Sequence, residues 1–340
     1  AMIVNDIKKV AEGTNLSREE CYGAMDDIMG GRATSAQIAA FITALRMKGE
    51  TVEEISACAQ VMRDRLIKVE AGIDGLVDTC GTGGDGARTF NISTTAAFVV
   101  AGAGIPVAKH GNRSVSSQSG SADLFMALGV NIDAAVPVVK HCLKEVGIGF
   151  LFAPLLHGAM KHAIGPRREI GIRTVFNILG PLTNPAGARR QVVGVYAERL
   201  TETLCEVLND LGCERAYVVH GYDGLDEITL TGKTRISELK NGRCVAFDFD
   251  PRELGLSYCR PEDLKGGDAE TNATITLSIL KGTQGPQRDV TLLNAAAAIH
   301  VAGKTKTLKE AMELARESID SGKALAKLDA LKRASHSDDE

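Results

Sequence analysis

Between residues 105 and 124 the chain reads IPVAKHGNRSVSSQSGSADL. From Lys109 to Ser121 it sets Lys109, His110, Asn112, Arg113, Ser114, Ser116, Ser117, Gln118, Ser119 and Ser121 around only two glycines and no acid. Such a run, following an apolar strand-like IPVA and leading into a helix-like ADLFMALG, can aim backbone N–H groups and hydroxyls at phosphate oxygens while Lys109 and Arg113 supply charge. Upstream, DTCGTGGDGARTFNIST at 78–94 offers glycines that let the backbone approach an anion. Asp85 is placed there to accept from a ribose hydroxyl or to orient neighbouring amides. Asn91, Ser93 and Thr94 sit at a helix start, whose unsatisfied N–H groups favour phosphate. The two stretches together read as a site for a phosphorylated, pyrophosphate-bearing ligand. Alone, the serine-rich run reads equally well as a polar surface loop, and Ser93 or Thr94 as an N-cap.

Gly81, Gly83 and Gly86 formally satisfy the G-x-G-x-x-G dinucleotide fingerprint. That fingerprint also wants an acid about twenty residues on to hold a ribose hydroxyl, yet the next strand runs into Lys109 and His110, which argues against hydride chemistry. No Walker motif occurs. A second cluster, HGYDGLDEITL at 220–230, brings Asp223, Asp226 and Glu227 to the end of a strand. Magnesium needs only one or two carboxylates plus ligand phosphates, so this pattern suits it, although spacing alone favours a solvated acidic loop.

The elements that must position these residues are readable from periodicity. Ser17 with Glu20, Thr34 with Gln37, and Thr51 with Glu54 form three capping-box patterns, each opening an amphipathic stretch that stops near Gly30, Gly49 or shortly before residue 70. After Gly72, strand-like runs at 76–80, 105–108, 148–152, 191–196 and 216–220 alternate with helix-like runs at 94–103, 122–128, 137–146 and 201–211. That alternation predicts an α/β fold: a small N-terminal helical domain plus a larger α/β domain with a mainly parallel central sheet flanked by helices. The expected division is a helical domain over 1–72 joined by part of 155–188, an α/β ligand-binding domain over 73–154 and 189–333, and a disordered tail at 334–340. Residues 155–171 read as one basic amphipathic helix, 229–236 and 244–249 as strands.

Composition excludes several classes. With Lys+Arg 39 against Asp+Glu 43 the net charge is −4, which disfavours a general nucleic-acid or anionic-membrane binder. The apolar runs are too short or interrupted to span a bilayer, and no signal peptide is recognisable, so a cytoplasmic protein is expected. Eight cysteines without a C-x-x-C pair or histidine clustering suggest reduced thiols, neither a zinc site nor a disulfide framework.

GTGGD at 81–85, NIST at 91–94, KHGNRSVSS at 109–117, GSAD at 120–123, RREIGIRTVFNILGPLTNP at 167–185 and the Asp226–Glu227 pair occur together and in this order. In that set the chain resembles the anthranilate phosphoribosyltransferases of tryptophan biosynthesis over nearly its whole length. The resemblance implies transfer of the 5-phosphoribosyl group from phosphoribosyl pyrophosphate to the amino group of anthranilate, the second step from chorismate. It further implies that phosphoribosyl pyrophosphate is bound by Gly81, Gly84, Asp85, Thr89, Asn91, Ile92, Ser93, Thr94, Lys109, His110, Gly111, Asn112, Arg113, Ser114, Val115, Ser116, Ser117 and Ser121. Gly81, Asn112, His110, His157 and Arg167 would meet anthranilate, and Ser93, Asp226 and Glu227 would hold Mg2+.

No catalytic acid or base is implied; positioning and electrostatics carry the reaction. A homodimer through the N-terminal helices is expected. The sequence departs from the family pattern at Gln118, where lysine is frequent, and at Gly158, where proline is common. The alternatives are a related phosphoribosyltransferase or nucleoside phosphorylase with another acceptor, or an inactive nucleic-acid-binding homologue.

Overall fold

The computed structural model describes residues 2–114 and 117–337. Four helices come first: α1 (Met2–Ala11), α2 (Arg18–Met29), α3 (Ser35–Lys48) and α4 (Val52–Arg65). Ser17 and Thr34 close full capping boxes, whereas at Thr51 only half a box forms. The Glu54 carboxylate turns instead to Lys48, 2.6 Å away, in an ion pair whose two side chains are almost wholly buried.

The α/β part follows as β1 (Val77–Gly81), α5 (Ile92–Gly102), β2 (Val107–Gly111), α6 (Ser121–Ala127), α7 (Val136–His141) and β3 (Ile148–Phe152). Then come α8 (Ala153–Leu156), α9 (Lys161–Ile170), α10 (Phe176–Leu179), β4 (Arg190–Gly194), α11 (Arg199–Asp210), β5 (Arg215–Gly221), β6 (Thr234–Lys240) and β7 (Arg243–Phe249). Helices α12 (Ala269–Leu280), α13 (Pro286–Val301), α14 (Leu308–Asp320) and α15 (Lys323–Ala334) complete the described chain.

The seven strands lie in the order β3-β2-β1-β4-β5-β6-β7. The first five are parallel and the last two form an antiparallel hairpin at one edge. After β1 the chain moves outward through β2 and β3, then returns to place β4 on the other side of β1. In open α/β sheets a crevice opens at the carboxyl ends of the strands where the order reverses, and here those ends are Gly81 and Gly194.

Helices cover both faces. Helix α5, almost entirely buried, shares one apolar core with α13, α14 and α15. A second core joins α11 and the inward residues of β4 and β5 to α1–α4, with Ala163, Val175, Phe176, Ile178, Leu179 and Leu182 contributed by the 155–188 stretch.

Several expectations need correction. Strand β2 starts at Val107, after Pro106, and runs through Lys109, His110 and Gly111, so these are sheet residues paired with Phe150, Leu151 and Phe152, not loop residues. The 155–171 stretch is not one helix: His157 adopts φ −113° and ψ 57°, which separates α8 from a 3-10 turn and α9. Residues 229–233 form a turn, not a strand, because Thr229 and Thr231 both donate their hydroxyls to Asp223 Oδ2 at 2.6 Å. The helix at 137–146 ends in a π turn over Cys142–Val146.

The expected disordered tail is ordered at its start. Ala334 ends α15, Ser335 Oγ accepts the Asn131 N–H at 3.0 Å, and residues 338–340 lie outside the described residues.

Candidate active site

The crevice between β1 and β4 is floored by acid. Asp226 Oδ2 accepts the Gly83 N–H at 2.9 Å, Asp85 Oδ2 accepts the Asp226 N–H at 3.4 Å, and Glu227 Oε1 accepts the Ser93 N–H at 3.2 Å. Gly81 and Gly194 leave the room: a Cβ on the first would collide with the Asp226 carboxylate and one on the second with the Asp226 carbonyl. The 220–230 loop is thus not a solvated acidic loop, since Asp226 and Glu227 are only partly exposed and turn inward onto the glycine-rich turn. Burial, and then Asp85, push the Asp226 carboxyl up to about 7; burial, and then Asp226, push Glu227 well above the usual range. Like charges held this close favour a cation among them.

Lys109 rises from beneath. It is 2 % exposed, and its ammonium donates to the Thr79 carbonyl and, at 3.3 Å, to Ser93 Oγ. Its charge therefore acts from the sheet under the first turn of α5, not from the serine-rich loop. Thr79 Oγ1 reinforces the junction by donating to the Ser93 carbonyl at 3.0 Å.

Helix α5 starts at Ile92, with Asn91 in the capping position, so neither Ser93 nor Thr94 is the N-cap. The Ile92 and Thr94 side chains are buried in the first turn of this helix. The Asn91 amide is occupied too. Its Nδ2 donates to the Ser119 carbonyl at 3.1 Å, and its Oδ1 accepts from Ser119 Oγ at 3.2 Å and Asn272 Nδ2 at 3.0 Å, so it ties the loop to α5 and α12. Thr89 bridges to Lys265 at the rim.

The 112–121 loop wraps around Asp123, whose Oδ2 accepts the N–H groups of Ser114 at 3.1 Å and Gly120 at 2.8 Å. Asn112 Oδ1 takes the Arg113 N–H at 2.7 Å, and Ser114 Oγ lies 2.6 Å from Ser117 Oγ. Gly111 makes way for Ser121, whose hydroxyl a Cβ there would strike. Arg113 is exposed, 3.7 Å from Asp123 and 5.9 Å above the Phe152 ring. Val115 and Ser116 lie outside the described residues. Gln118 is exposed, and at Gly158 a Cβ would meet nothing within 4 Å, so packing does not demand glycine there.

Two histidines meet beside this loop. His110 Nε2 and His157 Nε2 are 3.1 Å apart, with ring centroids at 5.1 Å. Burial lowers His110 to about 3, helped by its neighbour, and lowers His157 to about 4, so both are neutral near pH 7. On α9, Arg167 lies half-buried with its guanidinium 5.2 Å from the Phe176 centroid. Burial depresses its pKa, and among the described residues no carboxylate or carbonyl pairs with that guanidinium. A half-buried arginine in this state is set up to receive a planar anion.

Sequence reasoning missed Arg173. Its guanidinium stacks 4.2 Å from the Tyr196 centroid and donates to the Gly84 carbonyl, latching the α9–α10 connection onto the glycine-rich turn. No spacing rule links two positions 89 apart. Asn184 was missed likewise; from the buried end of the same motif its Nδ2 holds Asp78 Oδ2 and the Ala108 carbonyl, each at 2.9 Å.

The donor set fits magnesium. Among the described residues no cluster of three or more His, Cys, Asp or Glu is arranged to hold a metal unaided. Two hard carboxylates, one of them on the first turn that carries the Ser93 hydroxyl, are the share of ligands that a protein gives a partly hydrated Mg2+.

Two family models match: a glycosyl transferase family α/β domain over residues 74–325 and a glycosyl transferase family helical bundle domain over residues 6–66. Anthranilate phosphoribosyltransferase from Moorella thermoacetica is 59% identical over 330 residues, covering 97% of this chain and 97% of that protein. Among solved structures, the enzyme of that name from Thermus thermophilus superposes with a TM-score of 0.93 at 43% identity, over 98% of this chain and 99% of that one. The Saccharomyces cerevisiae enzyme in complex with PRPP and Mg gives 0.88 at 29% identity, over 98% and 97% of the two chains.

Proposed function

The chain belongs to the anthranilate phosphoribosyltransferase family, and on that premise we propose that it transfers the 5-phosphoribosyl group of phosphoribosyl pyrophosphate to the amino nitrogen of anthranilate, releasing pyrophosphate. The observation that supports this reading is the acid pair at the carboxyl ends of β1 and β4, Asp226 on Gly83 and Glu227 on Ser93, with the donor-rich loop tied to the same helix start through Asn91.

The ribosyl C1–O bond to pyrophosphate breaks as the C1–N bond to the aryl amine forms, and the nitrogen, cationic once bonded, gives up one proton to solvent. That amine is already neutral at pH 7 and offers its lone pair directly, so neutral His110 and His157 line the crevice without serving as a proton relay. Negative charge grows on the departing pyrophosphate. Lys109 from below, the first-turn amides of α5 and the 112–121 loop meet that charge, and preorganised donors of this kind act most strongly where water is excluded. Asp226, Glu227 and the Ser93 hydroxyl would hold Mg2+, which would supply positive charge to the pyrophosphate oxygens. Arg167 pairs with the anthranilate carboxylate and orients the amine.

We assign the protein to the cytoplasm and to a homodimer. No helix among the described residues is long and apolar enough to cross a membrane. The dimer reading rests on α3, where Ala36, Ala40 and Met47, the last 83% exposed, share a face turned away from the core. Fluorescence-monitored turnover of anthranilate with phosphoribosyl pyrophosphate and Mg2+ tests the activity. Consumption of a nucleoside with orthophosphate, and none of anthranilate, would assign the protein to the phosphorylases instead.

A further inference from the structure

Cys205 on α11 and Cys244 on β7 bring their sulfurs to 2.8 Å, with the Cys205 thiol donating to Cys244 Sγ. Another close pair in this molecule, Cys21 and Cys58, rests at 3.7 Å in a contact sealed within the helical domain. The shorter separation is already within an ångström of a disulfide bond length of about 2.05 Å. We propose that Cys205 and Cys244 are a modification site, a dithiol that closes to an intramolecular disulfide by exchange with a small-molecule disulfide.

The surroundings define the order of events. Strand β7 is the outer edge of the sheet, so Cys244 is part-exposed while Cys205 is fully buried against the sheet. Burial drives the Cys205 thiol far up; it also leaves Cys244 raised, by less, because the hydrogen bond received from Cys205 offsets part of the effect. Cys244 is therefore the sulfur that ionises and is reached first.

Its thiolate attacks one sulfur of glutathione disulfide, the S–S bond of the reagent breaks, and one glutathione thiolate leaves. Cys205, its proton passing to solvent, then attacks Cys244 Sγ and expels the second glutathione thiolate. The protein loses two electrons and two thiol protons, and glutathione disulfide is reduced to two thiols. The new bond fastens the edge hairpin to α11, three strands from the β1–β4 crevice and clear of every residue assigned to substrate.

The test exposes the full chain to glutathione disulfide, blocks remaining thiols with iodoacetamide under denaturing conditions and maps linked peptides by mass spectrometry. A Cys205–Cys244 link forming ahead of any other, reversed by dithiothreitol, supports the assignment. Closing a loop of this length should also raise Tm by roughly 5 °C. Cys244→Ser should abolish both effects, and Cys205→Ser should leave glutathione trapped on residue 244. The proposal fails if both sulfurs still take iodoacetamide after saturating exposure, or if glutathione stays on Cys244 while Cys205 remains free.

Discussion

Asp226 and Gly83 stand 143 positions apart in the chain, yet the carboxylate of the first receives the backbone N–H of the second at 2.9 Å. One acid thereby serves two tasks, shaping the glycine-rich turn and facing the proposed metal. Asp226→Asn separates them, because an amide oxygen still accepts from Gly83 but carries no charge. The expected outcome is a Tm no lower than that of the wild type with Mg2+ affinity weakened roughly 10- to 100-fold, read from a Mg2+ titration of turnover. An Mg2+ dependence identical to that of the wild type would remove the metal role from Asp226.

The raised acids give that titration a pH dependence. Without metal, the folded protein keeps a proton on Asp226 up to about pH 7, whereas the unfolded chain releases it near its ordinary 3.8. The stability from that proton is complete below 3.8 and gone above 7. Mg2+ must displace it, so apparent Mg2+ affinity should fall about tenfold per pH unit below 7, and binding at pH 6 should release a proton measurable by calorimetry in buffers of different ionisation enthalpy. Flat affinity from pH 6 to 8 contradicts this.

His110 and His157 act in the opposite sense. Their pKa values fall from an ordinary 6.5 to about 3 and about 4 on folding. Below 6.5 the unfolded chain takes up protons that the folded one refuses, so their contribution is whole above pH 6.5 and drains away as pH falls through the folded values. Tm should therefore decline between pH 6.5 and 4 less steeply in His157→Gln than in the wild type, by differential scanning calorimetry. Parallel curves would mean that the pair does not refuse protons.

Arg167→Ala should raise KM for anthranilate about 10- to 100-fold and leave KM for phosphoribosyl pyrophosphate nearly unchanged, since one charge-assisted contact to a carboxylate is lost. Tm should not fall, because no protein anion among the described residues depends on this guanidinium. Equal effects on both substrates would make Arg167 a structural residue of the domain junction.

Arg173→Ala should do the reverse, loosening the glycine-rich turn and raising KM for phosphoribosyl pyrophosphate several-fold with little change for anthranilate. Arg173→Lys should recover only part of the loss, because an ammonium can still reach the Gly84 carbonyl but cannot stack as a plane on Tyr196. Full recovery by lysine would leave the stacking without a role.

Much of this was legible in the chain. The starts of α2, α3 and α4 are legible at Ser17, Thr34 and Thr51 because capping is local chemistry, whereas α1 has no such cap, and β3 at Ile148–Phe152 is legible as an apolar run. What local pattern does not carry is direction and reach. Lys109 reads as a loop cation until β2 is extended through it by pairing with β3. Asp226 reads as solvated until Gly81 and Gly194 are seen to make space for it, and Arg173 has no meaning until Gly84 stands beside it.

The apolar cluster behind the helical domain includes residues as distant as Val193, Val218 and Leu239. During synthesis the four N-terminal helices therefore leave the ribosome with one face uncovered, and that face stays uncovered until residue 239 has emerged. At about 5–20 residues per second the interval after residue 65 is roughly 10 to 35 s. Cover for the unit that begins the chain therefore comes only after most of the sheet has been made, and the apolar α5 waits longer still, for α13 to α15.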